Sequence, residues 1–182
     1  MNITVYCSAS DVGESYTKAA REFATLIAKG GHALIWGGSN KGTMKVIADA
    51  AQAAGGKIIG ISVEPLKAAA RPEADEMFIA KDWPERKAEL LGRGDVIVVL
   101  PGGLGTLDEV TDVLEQKKHK MHDKPIVFLN TDGFYDGMKV QLQRMDAEGF
   151  LPRKLEELLY FADTPEDAMA HISKYEESGE LK

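Results

Sequence analysis

Five short stretches of the chain are apolar almost throughout: ITVYC (3–7), ALIW (33–36), KIIGISV (57–63), DVIVVL (95–100) and PIVFLN (125–130). Continuous hydrophobicity, rather than alternation, is what a strand needs when both its faces are covered, so each predicts a buried strand. Between them apolar residues recur at helical spacing: Tyr16, Ala19, Ala20, Phe23 and Ile27, then Met44, Ile47, Ala48 and Ala51, and later Leu107, Val110 and Leu114. Each set forms one stripe along a helix. Strand alternating with helix predicts right-handed crossovers and a Rossmann-like α/β fold, a doubly wound parallel sheet with helices on both faces. Glycine pairs at 30–31 and 55–56 fall where helices should end and read as caps. The last stretch, FADTPEDAMAHISKYEESGELK, predicts a short strand, a helix capped by Thr164 with Pro165 in its first turn, and a frayed polar tail from about residue 175. No linker or repeat divides the 182 residues, so a single domain over 1–182 is expected.

In such a sheet ligands lie beyond the carboxyl ends of the strands, near the point where strand order reverses. Three loops qualify by position: CSASDVG after the first strand, GGSNKGT after the second and PGGLGT after DVIVVL. Glycine lets main-chain N–H groups approach an anion closely, and a following helix start adds partial positive charge. Two phosphate-binding fingerprints are excluded. Gly37 to Gly42 has P-loop spacing, but Thr43 stands where the lysine is required, and Asp108 takes the third glycine position of the dinucleotide pattern begun by Gly103 and Gly105.

Charge narrows the partners further. With 29 acidic against 22 Lys and Arg residues the formal charge is −7, which argues against a nucleic-acid surface, so any phosphate bound is small and locally caged. No run approaches the apolar length of a membrane span, and no membrane partner is expected. The one cysteine, Cys7, excludes an intramolecular disulfide and fits a reducing cytoplasm. It reads as a small buried hydrophobe rather than a nucleophile. His119 and His122 lack a nearby third ligand, so neither a metal nor a cofactor is expected.

Thr106-Leu107-Asp108-Glu109 has the form of a capping box, in which Glu109 would serve only to start a helix. Pro101-Gly102-Gly103-Leu104-Gly105-Thr106 with Glu109 also resembles the P-G-G-x-G-T-x-x-E signature of the LONELY GUY family of phosphoribohydrolases, formerly labelled lysine decarboxylases. Arg86-Lys87 resembles the family's Arg-Lys pair, and similarity extends through Cys7, Gly37-Gly38, Gly42, Met44, Lys124-Pro125, Asp132-Gly133-Phe134-Tyr135 and Gly149-Phe150. The resemblance implies cleavage of the base–ribose bond of nucleoside 5'-monophosphates, giving free base and ribose 5-phosphate, and in plants and some microbes active cytokinins.

The chain departs from the family in four places. Cys7-Ser8-Ala9-Ser10 replaces C-G-S-S, and Gly37-Gly38-Ser39-Asn40-Lys41-Gly42-Thr43-Met44-Lys45 replaces G-G-G-x-x-G-L-M-G. Trp83-Pro84 replaces Met-His, and Glu115-Gln116-Lys117-Lys118 stands in for a Thr-Trp-x-Gln stretch. These changes leave the phosphate and ribose end and fall at the base end.

The resemblance assigns catalysis to Arg86 and Glu109. Gly102, Gly103, Gly105 and Thr106 would hold the 5'-phosphate, with Ser10, Gly38, Ser39 and Lys87 completing the substrate site. Glu109 would stabilise the oxocarbenium-like centre and orient water, and Arg86 would bind phosphate or polarise the departing base. Family likeness also implies a homodimer or higher homo-oligomer. The alternative is a carrier that holds a nucleotide or phosphorylated cofactor in the same cradle without turnover. Lysine decarboxylation would need a Schiff-base lysine in a PLP-type site, and no candidate is present.

Overall fold

A computed structural model describes residues 1–178. Seven parallel strands form one sheet: β1 (Asn2–Tyr6), β2 (Ala33–Trp36), β3 (Ile58–Val63), β4 (Glu76–Ala80), β5 (Val96–Val99), β6 (Ile126–Leu129) and β7 (Tyr160–Ala162), in the order β4-β3-β2-β1-β5-β6-β7. The chain builds outward from β1 to one edge, then returns to pair β5 with β1 and builds to the other. Strand order therefore reverses between β1 and β5, and the loops leaving these two strands diverge at their carboxyl ends.

The helices are α1 (Glu14–Lys29), α2 (Gly42–Ala53), α3 (Trp83–Arg93), α4 (Leu104–Lys118), α5 (Asp136–Ala147), the single turn α6 (Leu155–Leu158) and α7 (Pro165–Ser178). Helices α1, α2 and α7 cover one face over a core that includes Phe23, Ile27, Ile47, Trp36 and Ile172. Helices α3 to α6 cover the other over Ile61, Leu90, Val110 and Phe128. The Rossmann-like doubly wound sheet expected from the apolar runs is the observed architecture.

Strand β4 is an addition to the sequence reading. It is an edge strand of which only Ala80 is buried, so it lacks the continuous apolar run that marks β3 or β5. The glycine pairs at 30–31 and 55–56 follow α1 and α2 as caps, and Thr164 caps α7 by accepting the Asp167 N–H at 3.1 Å. Helix α7 continues to Ser178, through the positions where a frayed tail was expected; the rest of that tail lies outside the described residues. Among the described residues no helix is long and apolar enough to cross a membrane.

Candidate functional site

Helix α4 begins at Leu104, two residues before Thr106, with Gly103 as its N-cap and no side-chain cap bond. The capping-box reading of Thr106 to Glu109 is therefore overturned. Both side chains turn inward, and Glu109 is only 7% exposed. Its carboxylate accepts a hydrogen bond from Nη1 of Arg86 at 2.5 Å. With the helix starting at Leu104, Glu109 lies beyond the first turn, and its carboxylate faces the guanidinium rather than the helix end. Thr106 packs beneath Gly102, where any added methyl group would run into its hydroxyl.

The box that does cap lies at α3. Asp82 accepts the Glu85 N–H at 2.9 Å, and the Glu85 carboxylate accepts the Lys81 N–H at 2.6 Å. This fixes the first turn of α3 and with it Arg86, itself 5% exposed. The guanidinium Nε donates to the Ile61 carbonyl at 3.0 Å. The backbone of Gly37 passes so close to Nη2 that no larger residue would fit without moving it. Two of Arg86's five donors are bound by protein, and among the described residues no acceptor takes the other three.

Burial pushes the pKa of Glu109 above its ordinary value, and the adjacent Arg86 charge pulls it part of the way back. Tyr6 and Cys7, where β1 ends, are buried beside this pair; burial first, and then the Glu109 charge, push the phenol and the thiol well up. Cys7 is thus held as a thiol at neutral pH, in keeping with its reading as a hydrophobe.

The second glycine loop is held by a strap of chain that sequence reasoning missed. Residues 64–71 form a 3-10 turn and an extended end, where the Asn40 N–H donates to Ala69 O (2.9 Å), the Arg71 N–H donates to Gly38 O (2.8 Å), and Ser39 bridges Ala70. The buried Arg71 guanidinium then binds Asn40 Oδ1 (3.0 Å), Asp49 Oδ1 (2.7 Å) and Gln52 Oε1 (2.7 Å). Partners 19 to 31 residues away leave no local signal for this role. Gly38 and Ser39 are therefore fixed, with part of their hydrogen-bonding capacity used by the strap.

Ser10 is exposed in the loop after β1, which lies against the start of α2 through the Met44 N–H donating to Ser8 O at 3.1 Å. Lys87 departs from the others. Its Nζ lies 3.3 Å from Asp108 and 3.6 Å from Asp112, bridging α3 to the outer flank of α4. Gly103 and Gly105 stand exposed at the open end of α4, and a Cβ at either would meet nothing within 4 Å. A cavity of about 740 Å³ lies at the opposite, amino edge of the sheet. There Lys124 Nζ donates to Leu91 O (2.6 Å) at the end of α3, and Lys117 Nζ donates to Lys124 O (3.0 Å), so these cations serve to close the fold.

The site thus brings Arg86, Glu109, Gly102, Thr106 and the open α4 start together, with the strapped Gly38–Ser39 loop nearby. Residues 44–172 match the family model described as "Possible lysine decarboxylase". The chain is 35% identical over 169 residues to the cytokinin riboside 5'-monophosphate phosphoribohydrolase of Mycobacterium tuberculosis, covering 92% of this chain and 90% of that one. It is 32% identical over 177 residues to the corresponding LOG protein of Oryza sativa subsp. japonica, covering 95% and 73%. Among solved structures it is similar to the molybdenum cofactor carrier protein of Chlamydomonas reinhardtii, with a TM-score of 0.74 at 25% identity over 95% of this chain and 96% of that one. A family model spanning most of the sequence, joined by relatives above 30% identity along nearly its whole length, establishes that the chain belongs to the LONELY GUY family.

Proposed function

We propose that this protein hydrolyses the N-glycosidic bond of nucleoside 5'-monophosphates, AMP-like or cytokinin riboside monophosphates, to free base and ribose 5-phosphate. The observation that carries this is the buried Arg86–Glu109 pair set about 7 Å along α4 from its open amino end. Breaking the bond develops positive charge at C1' and negative charge on the base, and the pair supplies one group of each sign. Glu109 stabilises the oxocarbenium-like carbon and orients the water whose oxygen bonds C1', while the water's proton passes to the leaving base nitrogen. Arg86, with its free donors, polarises the base or holds phosphate oxygens. The amides of the first turn of α4 bind the 5'-phosphate, and the absence of any neighbour at Gly103 and Gly105 supports this, because packing alone does not demand glycine at either position.

The chain acts on this reading as one nucleotide-binding domain in a reducing cytoplasm, assembled as a homodimer or higher homo-oligomer. Large apolar side chains left open on α4, α5 and their flanking turns support the assembly. The names of the relatives support both substrate and reaction. A carrier function is the second reading, favoured by the likeness to the Chlamydomonas carrier protein. It gives no reason for a buried acid and guanidinium beside the cradle.

Incubation with AMP, a cytokinin riboside monophosphate and the matching unphosphorylated nucleosides separates the two. Release of base from the monophosphates alone is expected. Equal release from nucleosides would remove the phosphate cradle, and tight nucleotide binding without product would identify a carrier.

A further inference from the structure

Two tryptophans are present, and their settings differ. Trp36 is fully buried in β2, whereas Trp83, the first residue of α3, is 49% exposed. Trp83 lies three positions before Arg86 and so on the same side of the helix, with the Arg86 Cζ 5.8 Å from the ring centroid. Glu109 reaches this guanidinium from α4 and Trp83 reaches it from the first turn of α3.

The contacts run in sequence: α4, whose start carries no side-chain cap, holds Glu109; Glu109 meets Arg86; and Arg86 meets the indole. A nucleoside monophosphate has the same order, of phosphate, ribose and base. With the phosphate on α4 and C1' at the ion pair, the base is carried past Arg86 to the exposed ring. We propose that Trp83 is the platform on which the departing purine stacks, and that it gives the enzyme a preference for two-ring bases. The assignment rests on the phosphoribohydrolase reading and deepens it.

Stacking favours the larger base because its strength grows with the ring area that overlaps. It also brings the base edge alongside the three free donors of Arg86, where polarisation of the leaving group is needed. The rival aromatic at this rim, Phe134, is 44% exposed but already engaged edge-on by Tyr16 at 5.7 Å and Tyr135 at 4.9 Å.

The test compares steady-state kinetics with AMP and CMP for wild type, Trp83→Ala, Trp83→Phe and Phe134→Ala, together with tryptophan emission on rapid mixing, read before product accumulates. Trp83→Ala is expected to raise KM for AMP about 10-fold and to raise it less for CMP. Trp83→Phe should restore a KM within about 3-fold of wild type, since a smaller ring still stacks. AMP should quench wild-type emission and ribose 5-phosphate should not. The quench should vanish in Trp83→Phe, where only the buried Trp36 remains. An unchanged KM in Trp83→Ala, a quench reproduced by ribose 5-phosphate, or a KM effect confined to Phe134→Ala would overturn the platform. If wild type released base while Trp83→Ala matched it, stacking alone would fail; if no base were released yet AMP still quenched Trp83, the hydrolase reading would fail and the platform would stand.

Discussion

At Glu109 two demands meet, a buried ion pair and a reactive carboxylate. Burial raises its pKa and Arg86 restrains the rise, so the acidic limb of kcat/KM should have its midpoint above the ordinary glutamate value of about 4.3. Weakening Arg86's restraint by Arg86→Gln should move that limb further up. A limb at or below the ordinary value would show that the pair is dominated by the guanidinium. The linked stability has a defined sign: a folded pKa above the unfolded one gives stability that is present below the unfolded value and is lost as pH rises through the folded value. The ionised carboxylate is therefore held at a cost, which Arg86 offsets in part. Glu109→Gln keeps one acceptor for Nη1 but removes the charge, and should lower kcat by at least about 100-fold. Glu109→Ala, which leaves the buried guanidinium without its partner, should in addition cost about 3–5 kcal/mol in denaturant unfolding.

At the level of the helix, α4 carries the contrast between glycines kept by the fold and glycines kept open for a ligand. A methyl group at Gly102 collides with Thr106, whereas one at Gly105 meets nothing. Inside a helix alanine is more stable than glycine by about 1 kcal/mol. Gly105→Ala should therefore raise the melting temperature slightly while increasing KM for a monophosphate about 10-fold or more, because the methyl stands where the phosphate must approach the amides. A variant that gained stability and kept its KM would move the anion away from α4.

The same helix shows what the sequence could and could not disclose. The sheet and the carboxyl-end loops were legible because β1, β2, β3, β5 and β6 are buried on both faces and so must be apolar throughout. The T-x-x-E at 106–109 and the D-x-x-E at 82–85 have the same spacing, yet only the second caps its helix. What separates them is a guanidinium 23 residues distant from Glu109, which no local pattern contains. Arg71 is hidden for the same reason, as its worth lies in Asn40, Asp49 and Gln52 on another part of the chain.

For the molecule as a whole, the unresolved demand is on the face that bears α4 and α5. Helix α5 buries no residue, and Val140 and Phe150 are 64% and 72% exposed. Leu104, the first residue of α4, is 86% exposed between Gly103 and Gly105. Open apolar side chains are what a subunit contact removes from water. A contact that covered Leu104 would also wall the open end of α4, shielding the phosphate from solvent and strengthening its attraction to the amides. Light scattering should then give a mass of about twice 19.8 kDa or a higher multiple. The double variant Val140→Lys, Phe150→Lys should shift to the monomer with an unchanged circular dichroism spectrum, since neither side chain supports the core. Its kcat/KM for monophosphates should fall, and wild-type activity should fall with dilution over the same concentrations that dissociate the assembly. A variant that became monomeric at full activity would separate the contact from the site, and one that kept the wild-type mass would place the contact on another face.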